Sequence, residues 1–329
     1  MLVEKLVSVI TPCFNGELYI SRFLDSILEQ TYSNIELILI DDGSTDNTKG
    51  IIEDYQQKFI DRGFSVVYIY QKNQGQAAAV NRGLKLFKGE YLTWPDSDDF
   101  LSGNSIELRV KFLEENSKFD FVRSDAAFYQ ECDIEKQVSL ATKNIKDKYR
   151  EKLFDAFIQE KDIYLCNGCY MVKTKAFLHV NPQRSIYESR AGQNWQMLLP
   201  ISNTFLCGFI EQPLYHIVLR LESHSREIKG FDKEISRCDE HLDILLNVLS
   251  SLDVDQNKYT KLLLDKYSKK KLIISCRYGK VKKANIFYKA IEHKSISDFY
   301  ALITVRTFCY SYAIKLPNLI KYIVSYIRK

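Results

Sequence analysis

The run Ile35-Glu36-Leu37-Ile38-Leu39-Ile40 leads straight into Asp41-Asp42-Gly43-Ser44-Thr45-Asp46, and this junction decides how the chain folds. Apart from Glu36 the run is apolar without alternation, the pattern of a strand covered on both faces in a parallel sheet. The polar residues after it combine turn formers with candidates for a helix N-cap. Upstream, Leu6 to Thr11 form a β-prone run that is expected to stop at Pro12. Ile20, Phe23, Leu24, Ile27 and Leu28 then recur at helical spacing. Downstream, Ile51, Ile52, Tyr55 and Phe59 mark a second helix that ends near Gly63. Ser65 to Tyr70 read as a third strand, Gln76 to Phe87 as a helix, and Tyr91 to Trp94 as a fourth strand. Strand–loop–helix alternation of this kind predicts an α/β domain with a largely parallel sheet.

In such sheets ligands bind outside the carboxyl ends of the strands. Three loops fall on that edge: Pro12-Cys13-Phe14-Asn15-Gly16, Asp41 to Ser44, and Asp96-Ser97-Asp98-Asp99. An aromatic ring can stack on a nucleobase, and a carboxylate can accept from a uracil N–H or from ribose hydroxyls. Asp96, Asp98 and Asp99 place three like charges in four positions, and each resists ionisation without compensation. Oxygen donors with no nearby histidine or thiolate favour Mg2+ or Mn2+ over zinc. A solvated acidic turn is the alternative for these residues taken alone. No Gly-x-Gly-x-x-Gly follows the first strand and no Walker sequence is present, so dinucleotide and P-loop readings lack their fingerprints.

Four segments in order, Val7-Ser-Val-Ile-Thr-Pro-Cys-Phe-Asn15, Asp41-Asp-Gly-Ser-Thr-Asp46, Asn73 to Asn81 and Asp96-Ser-Asp-Asp99, resemble the family 2 glycosyltransferases of bacterial surface-polysaccharide type. The resemblance covers about residues 5–225. It implies a GT-A fold, a mostly parallel Rossmann-like sheet flanked by helices. It also implies inverting transfer of a sugar from a nucleotide-sugar, usually a UDP-sugar, to a glycan or lipid-linked acceptor. On this resemblance Pro12 and Phe14 line the base pocket, Asn15 belongs to the nucleotide-sugar site, Asp42 holds the uracil, Asp96 contacts the ribose side and Asp98 coordinates the metal. The metal would offset charge on the departing diphosphate. Asn81 falls in the family's Asn-x-Gly segment, where it either meets the ligand or closes a helix turn.

One departure bears on catalysis. The family usually carries Glu-Asp before a Trp on the acceptor side, with the Asp as general base. Here the stretch is Gly192-Gln193-Asn194-Trp195. An amide cannot take a proton from a hydroxyl near neutral pH, whereas a carboxylate can. The nearest ionisable replacement is Glu188, in the loop entering the same helix. Trp195 suits an acceptor-sugar platform, with a core role as the alternative. The amides also admit a second reading, a catalytically silent nucleotide-sugar-binding subunit of a polysaccharide-assembly complex. Farther on, Arg220 and His224 are candidates to reach the diphosphate.

The chain has 329 residues, 46% of them hydrophobic, which allows one large domain plus an extension, or two domains. Its formal net charge of +4 does not indicate polyanion or nucleic-acid binding. The eight cysteines are scattered, and Cys166-Asn-Gly-Cys169 is the only close pair, read as reduced thiols. The first apolar run is short, so no signal peptide is expected. The glycosyltransferase domain is placed at 1–225 and a helical, basic region at 226–329. In that region Leu242, Ile244, Leu245, Val248 and Leu249 group as one apolar set, and Lys269–Lys271 and Lys280–Lys283 concentrate positive charge. From Lys315 to Lys329 an amphipathic pattern reads as a helix lying on an anionic membrane surface. Docking on its own domain or on a partner subunit is the alternative. No segment supplies the roughly 20 apolar residues of a membrane span. The expected location is cytoplasmic, peripheral on the inner face of the cell membrane.

Overall fold

Parallel strands and covering helices succeed one another through the first hundred residues, as the apolar runs require. The computed structural model describes residues 4–220 and 230–306. The chain divides into two compact units, residues 1–223 and 224–329. The strands of the first unit are β1 (Val7–Cys13), β2 (Ile35–Asp41), β3 (Ser65–Tyr70), β4 (Tyr91–Thr93), β5 (Phe100–Leu101), β6 (Phe121–Gln130), β7 (Asp133–Leu140), β8 (Tyr170–Lys173) and β9 (Cys207–Leu219). Its helices are α1 (Ile20–Leu28), α2 (Thr48–Asp61), α3 (Gln76–Leu84), α4 (Ser105–Glu115), α5 (Phe154–Gln159), α6 (Thr174–Val180) and α7 (Asn194–Thr204). The second unit holds α8 (Phe231–Ser250), α9 (Gln256–Arg277), α10 (Val281–Ala290) and α11 (Ile296–Arg306).

The sheet runs in the order β3-β2-β1-β4-β8-β6-β9-β5, with β7 beside β6. β3, β2, β1 and β4 are parallel neighbours, so the loops after β1, β2 and β4 emerge on one edge. Beyond β4 the sheet becomes mixed, because β8 pairs antiparallel with both β4 and β6 while β6 and β9 run parallel. Val7, Val9, Ile10, Leu37, Ile38, Leu39 and Ile40 are fully buried, as the continuous apolar runs demand. Glu36 is buried too, and its carboxylate accepts from Ser8 Oγ, from Lys88 N at 2.5 Å and from Gly89 N at 3.0 Å. A charge in a covered strand is tolerated because donors meet it.

Two boundaries differ from the sequence expectation. β1 continues through Pro12, which pairs in register with Ile40. Pairing with β4 ends at Val9, so beyond it only β2 lies alongside and the missing proline N–H forfeits nothing on the open side. Helix α3 ends at Leu84 rather than Phe87, yet Phe87 stays buried against Phe177 in an edge contact at 6.0 Å. The seven described cysteines are free thiols. Among the described residues no helix is long and apolar enough to cross a membrane. The amphipathic segment 315–329 and His224 lie outside the described residues.

Candidate active site

Asp42 organises the turn that leads into α3. It follows β2, and its N–H donates to Cys13 O at the end of β1 at 2.8 Å. Its Oδ1 accepts from Gln71 Nε2 at 2.8 Å and Gln74 N at 2.9 Å, and its Oδ2 from Gly75 N at 2.8 Å. A carboxylate offers about four acceptor sites. Three are used to hold the turn that starts α3, which leaves one. Gly43 sits at φ +88, and a Cβ there would come within 2.7 Å of Asn73 N, so only glycine lets the two turns meet. Asn15, at φ 48, ties the β1 loop to the β2 loop: its N–H donates to Ser44 Oγ at 2.9 Å and its Oδ1 accepts from Thr45 N at 2.9 Å. Pro12 is buried and Phe14 half-buried beside this junction.

The acidic loop after β4 splits into separate roles. Asp96 Oδ1 accepts from Gln76 Nε2 at 2.9 Å and from Asn167 Nδ2 at 3.3 Å. Burial first, then the charge of Asp98, pushes the Asp96 carboxyl up to about 7. Asp98 is ion-paired with Arg220, whose guanidinium also stacks 4.3 Å from the Tyr19 ring centroid. Arg22 Nη2 donates to Asp98 O at 2.6 Å. Asp99 turns away from its neighbours. It is buried, accepts from Tyr215 Oη and Val218 N at 2.9 Å each, and thereby fastens the loop to β9. Burial and the two adjacent carboxylates raise its pKa well above the usual range. Hence the expected cluster of three carboxylates is a pair, Asp96 and Asp98, beside a structural acid.

Asn167, Gly168 and Tyr215 were not singled out as site residues from the sequence. Asn167 is buried and touches Asp96 from a 3-10 turn before β8, the strand beside β4. Gly168 has no side chain because Tyr215 fills the space, and a Cβ there would fall 2.0 Å from the ring. Tyr215 Oη also accepts from Asp96 N at 3.2 Å. The signal in the sequence was the Cys166-Asn-Gly-Cys169 segment, whose thiols are buried and whose Asn-Gly carries the contact.

Asn81 meets a loop rather than ending a helix turn. Its Oδ1 accepts from Ile186 N at 2.7 Å, and its Nδ2 donates to Ile186 O at 2.9 Å and to Glu188 Oε1 at 3.2 Å. The exposed Glu188 carboxylate is therefore held from α3. Arg190 Nη1 donates to Asn73 Oδ1 at 3.3 Å, which sets this loop beside the turn capped by Asp42. Gln193 is buried at the start of α7, Asn194 opens that helix, and Trp195 is half-buried rather than in the core. Neither amide is brought to Asp96 or Asp98 by any hydrogen bond among the described residues.

Among the described residues no group of three or more His, Cys, Asp and Glu side chains gathers as a metal site. The pair Asp96 and Asp98 nonetheless fits a hard divalent ion. Both offer oxygen, burial and then the charge of Asp98 raise the Asp96 carboxyl, and two cations, Arg220 and Arg22, already stand at Asp98. Mg2+-type ions commonly take one or two carboxylates and complete their shell with water and phosphate.

His216, next to Tyr215 on β9, supplies a test of the scaffold that holds the acidic loop. Its Nε2 lies 2.7 Å from Ser102 Oγ, its ring stacks on Phe100 at 4.6 Å, and burial lowers its pKa to about 4. The unfolded chain binds that proton near pH 6.5. The fold thus binds fewer protons between these values, and stability should fall as pH drops from about 6.5 toward 4. His216→Gln should flatten this fall. Urea midpoints at pH 7 and pH 4.5 check it, and equal losses in variant and wild type would show that another group governs acid sensitivity.

The comparisons with known proteins agree with this geometry. The Glycosyl transferase family 2 model matches residues 8–180. Glycosyltransferase GlyA of Streptococcus pneumoniae is 29% identical over 222 residues, covering 65% of this chain and 29% of that protein. Bacillus subtilis TuaG, described as a putative teichuronic acid biosynthesis glycosyltransferase, is 39% identical over 114 residues, 35% of this chain and 44% of that protein. The chain spans only 29% to 55% of the length of the first curated relatives it matches. Among solved structures, S. aureus TarS in complex with UDP-GlcNAc superposes with a TM-score of 0.57 at 17% identity, covering 93% of this chain and 88% of that one. The Pyrobaculum calidifontis mannosyltransferase PcManGT, in complex with GDP-Man and Mn2+, gives 0.57 at 15% identity, covering 97% and 88%. At these identities the two structures establish the GT-A fold, and the family model spanning more than half of the chain establishes the family. This chain belongs to the family 2 glycosyltransferases.

Proposed function

We propose that this chain is an inverting, metal-dependent glycosyltransferase that moves a sugar from a UDP-sugar to a glycan or lipid-linked acceptor in surface-polysaccharide biosynthesis. One observation carries the reading: Asp42 and the Asp96–Asp98 pair stand on loops of one sheet edge, joined through the 71–76 turn. Asp42 keeps one acceptor site for a uracil N–H, and Phe14 offers a ring to the base. Asp96 would contact the ribose side. Asp96 and Asp98 would hold Mn2+ or Mg2+, which when bound neutralises charge on the departing diphosphate. Arg220, at Asp98, would pass its positive charge to the same phosphates. Glu188 would take the proton of the acceptor hydroxyl, whose oxygen attacks the anomeric carbon from the face opposite the leaving nucleotide. The UDP-GlcNAc of TarS, the GDP-Man and Mn2+ of PcManGT and the name of TuaG support donor, metal and pathway class respectively. Peripheral attachment at the inner face of the membrane belongs to the same proposal.

The amides Gln193 and Asn194 favour a second reading, a silent nucleotide-sugar-binding subunit. A thermal-shift panel of UDP-, GDP- and CMP-sugars with Mn2+, followed by an assay for released nucleotide with bacterial acceptor extracts, separates the two. The enzyme reading expects a UDP-sugar to stabilise the protein and UDP to accumulate with acceptor. Stabilisation without release would select the silent subunit, and no stabilisation by any nucleotide would refute both.

A further inference from the structure

Residues 256–294 carry twelve lysines and arginines against two acidic residues, on a chain whose whole net charge is only +4. The structure sorts these cations into two groups. Lys269 pairs with Asp265 at 2.8 Å, Lys271 with Asp239, and Arg277 with Glu234 at 2.9 Å. The Lys269–Lys271 cluster is therefore largely internal to the helical unit. Lys282, Lys283 and Lys289 differ: they are exposed on α10, and among the described residues none of them pairs with a carboxylate.

Helices α10 and α11 also expose apolar surface. One face of α11 buries Ala301, Leu302 and Val305 in a cluster with Leu272 and Cys276 of α9 and Ala284 of α10. On its other face Ile296, Phe299 and Ile303 are 90%, 54% and 40% exposed. Spacings of three and four residues put these three in one stripe. On α10, Ile286 is 57% exposed between Lys282, Lys283 and Lys289. Single exposed apolar residues are ordinary. A stripe of them turned away from a shared core, on a helix packed against one that carries exposed lysines, is a candidate docking face.

We propose that the outer faces of α10 and α11 bind an anionic phospholipid surface. Ile286, Ile296, Phe299 and Ile303 would enter the headgroup boundary, and Lys282, Lys283 and Lys289 would lie at the level of the lipid phosphates. Charge argues against the other occupants. A second copy would set lysines against lysines, and an anionic polymer would leave the aliphatic wedge in water. The surface is distinct from residues 315–329 and holds whether or not the chain transfers sugar.

The test is sedimentation of the full chain with phosphatidylcholine vesicles, with and without phosphatidylglycerol. The wild type should bind only the anionic vesicles. Phe299→Ser/Ile303→Ser and, separately, Lys282→Glu/Lys289→Glu should each lower the bound fraction at matched lipid by about tenfold or more. Lys258→Glu/Lys261→Glu, an equal charge change at exposed lysines of α9, should lower it far less, and unchanged melting midpoints would verify the folds. Several results would overturn the proposal: equal binding to neutral vesicles, no binding by the wild type, wild-type binding by either α10–α11 variant, or an equal loss in the α9 control. A wild-type dimer in light scattering that Phe299→Ser/Ile303→Ser dissolves would assign the face to a second copy instead.

Discussion

Asp98→Ala is expected to weaken Mn2+-dependent UDP binding by about a hundredfold or more while leaving UDP binding without metal near its weak starting level. A diphosphate is anionic, and carboxylates repel it unless a cation stands between them. Loss of residues that merely support a metal ligand costs about 10- to 100-fold in affinity, so loss of a ligand itself should cost at least the upper value. The ion pair sharpens the expectation. Removing Asp98 takes away the carboxylate paired with Arg220, so more of that guanidinium's charge acts on the phosphates. Any residual binding in the variant should therefore be insensitive to Mn2+ and strongly sensitive to salt. Fold damage is a minor concern, because Asp99 and not Asp98 anchors the loop to β9. Calorimetry with UDP, with and without Mn2+, checks the prediction. A variant that keeps a wild-type response to Mn2+ would move the metal away from this pair.

The parallel half of the sheet was legible because each strand is a short apolar run whose next residues can only turn. Ile35 to Asp46 shows this directly, and the site loops follow from it, since parallel strands place their carboxyl ends on one edge. What the sequence hid lies after β4. Strands β8, β6 and β9 come together from residues far apart in the chain, with register shifts between β6 and β9, and no local pattern encodes that order. The contacts made there were hidden too. Asn167 reaches Asp96 across 71 residues, Tyr215 reaches Asp99 across 116, and Arg220 reaches Asp98 across 122. The same limit explains Asp99, which reads as one of three equivalent carboxylates until β9 is seen to hold it. Asn81 is a further case. A polar residue near a helix end reads as a cap or a ligand contact, and its partner at Ile186 lies 105 residues on.

Glu188→Gln should reduce turnover by about 10²- to 10⁴-fold, the usual worth of a general base, with little change in the KM for the donor. The substitution keeps the size of the side chain and keeps an acceptor oxygen for Asn81 Nδ2, so the loop should stay where it is. Only the capacity to take a proton is lost. Asn81→Ala makes the complementary change. It leaves Glu188 intact but removes two hydrogen bonds to the Ile186 backbone and one to the carboxylate itself. Each such bond contributes about 0.5–1.5 kcal/mol, and more when the acceptor is charged. The loop should then loosen, raising the KM for acceptor and lowering kcat together. Steady-state kcat and KM values for donor and acceptor in wild type and both variants decide the matter. Wild-type turnover in Glu188→Gln would assign proton removal to another group and reduce Glu188 to a side chain that steadies its loop.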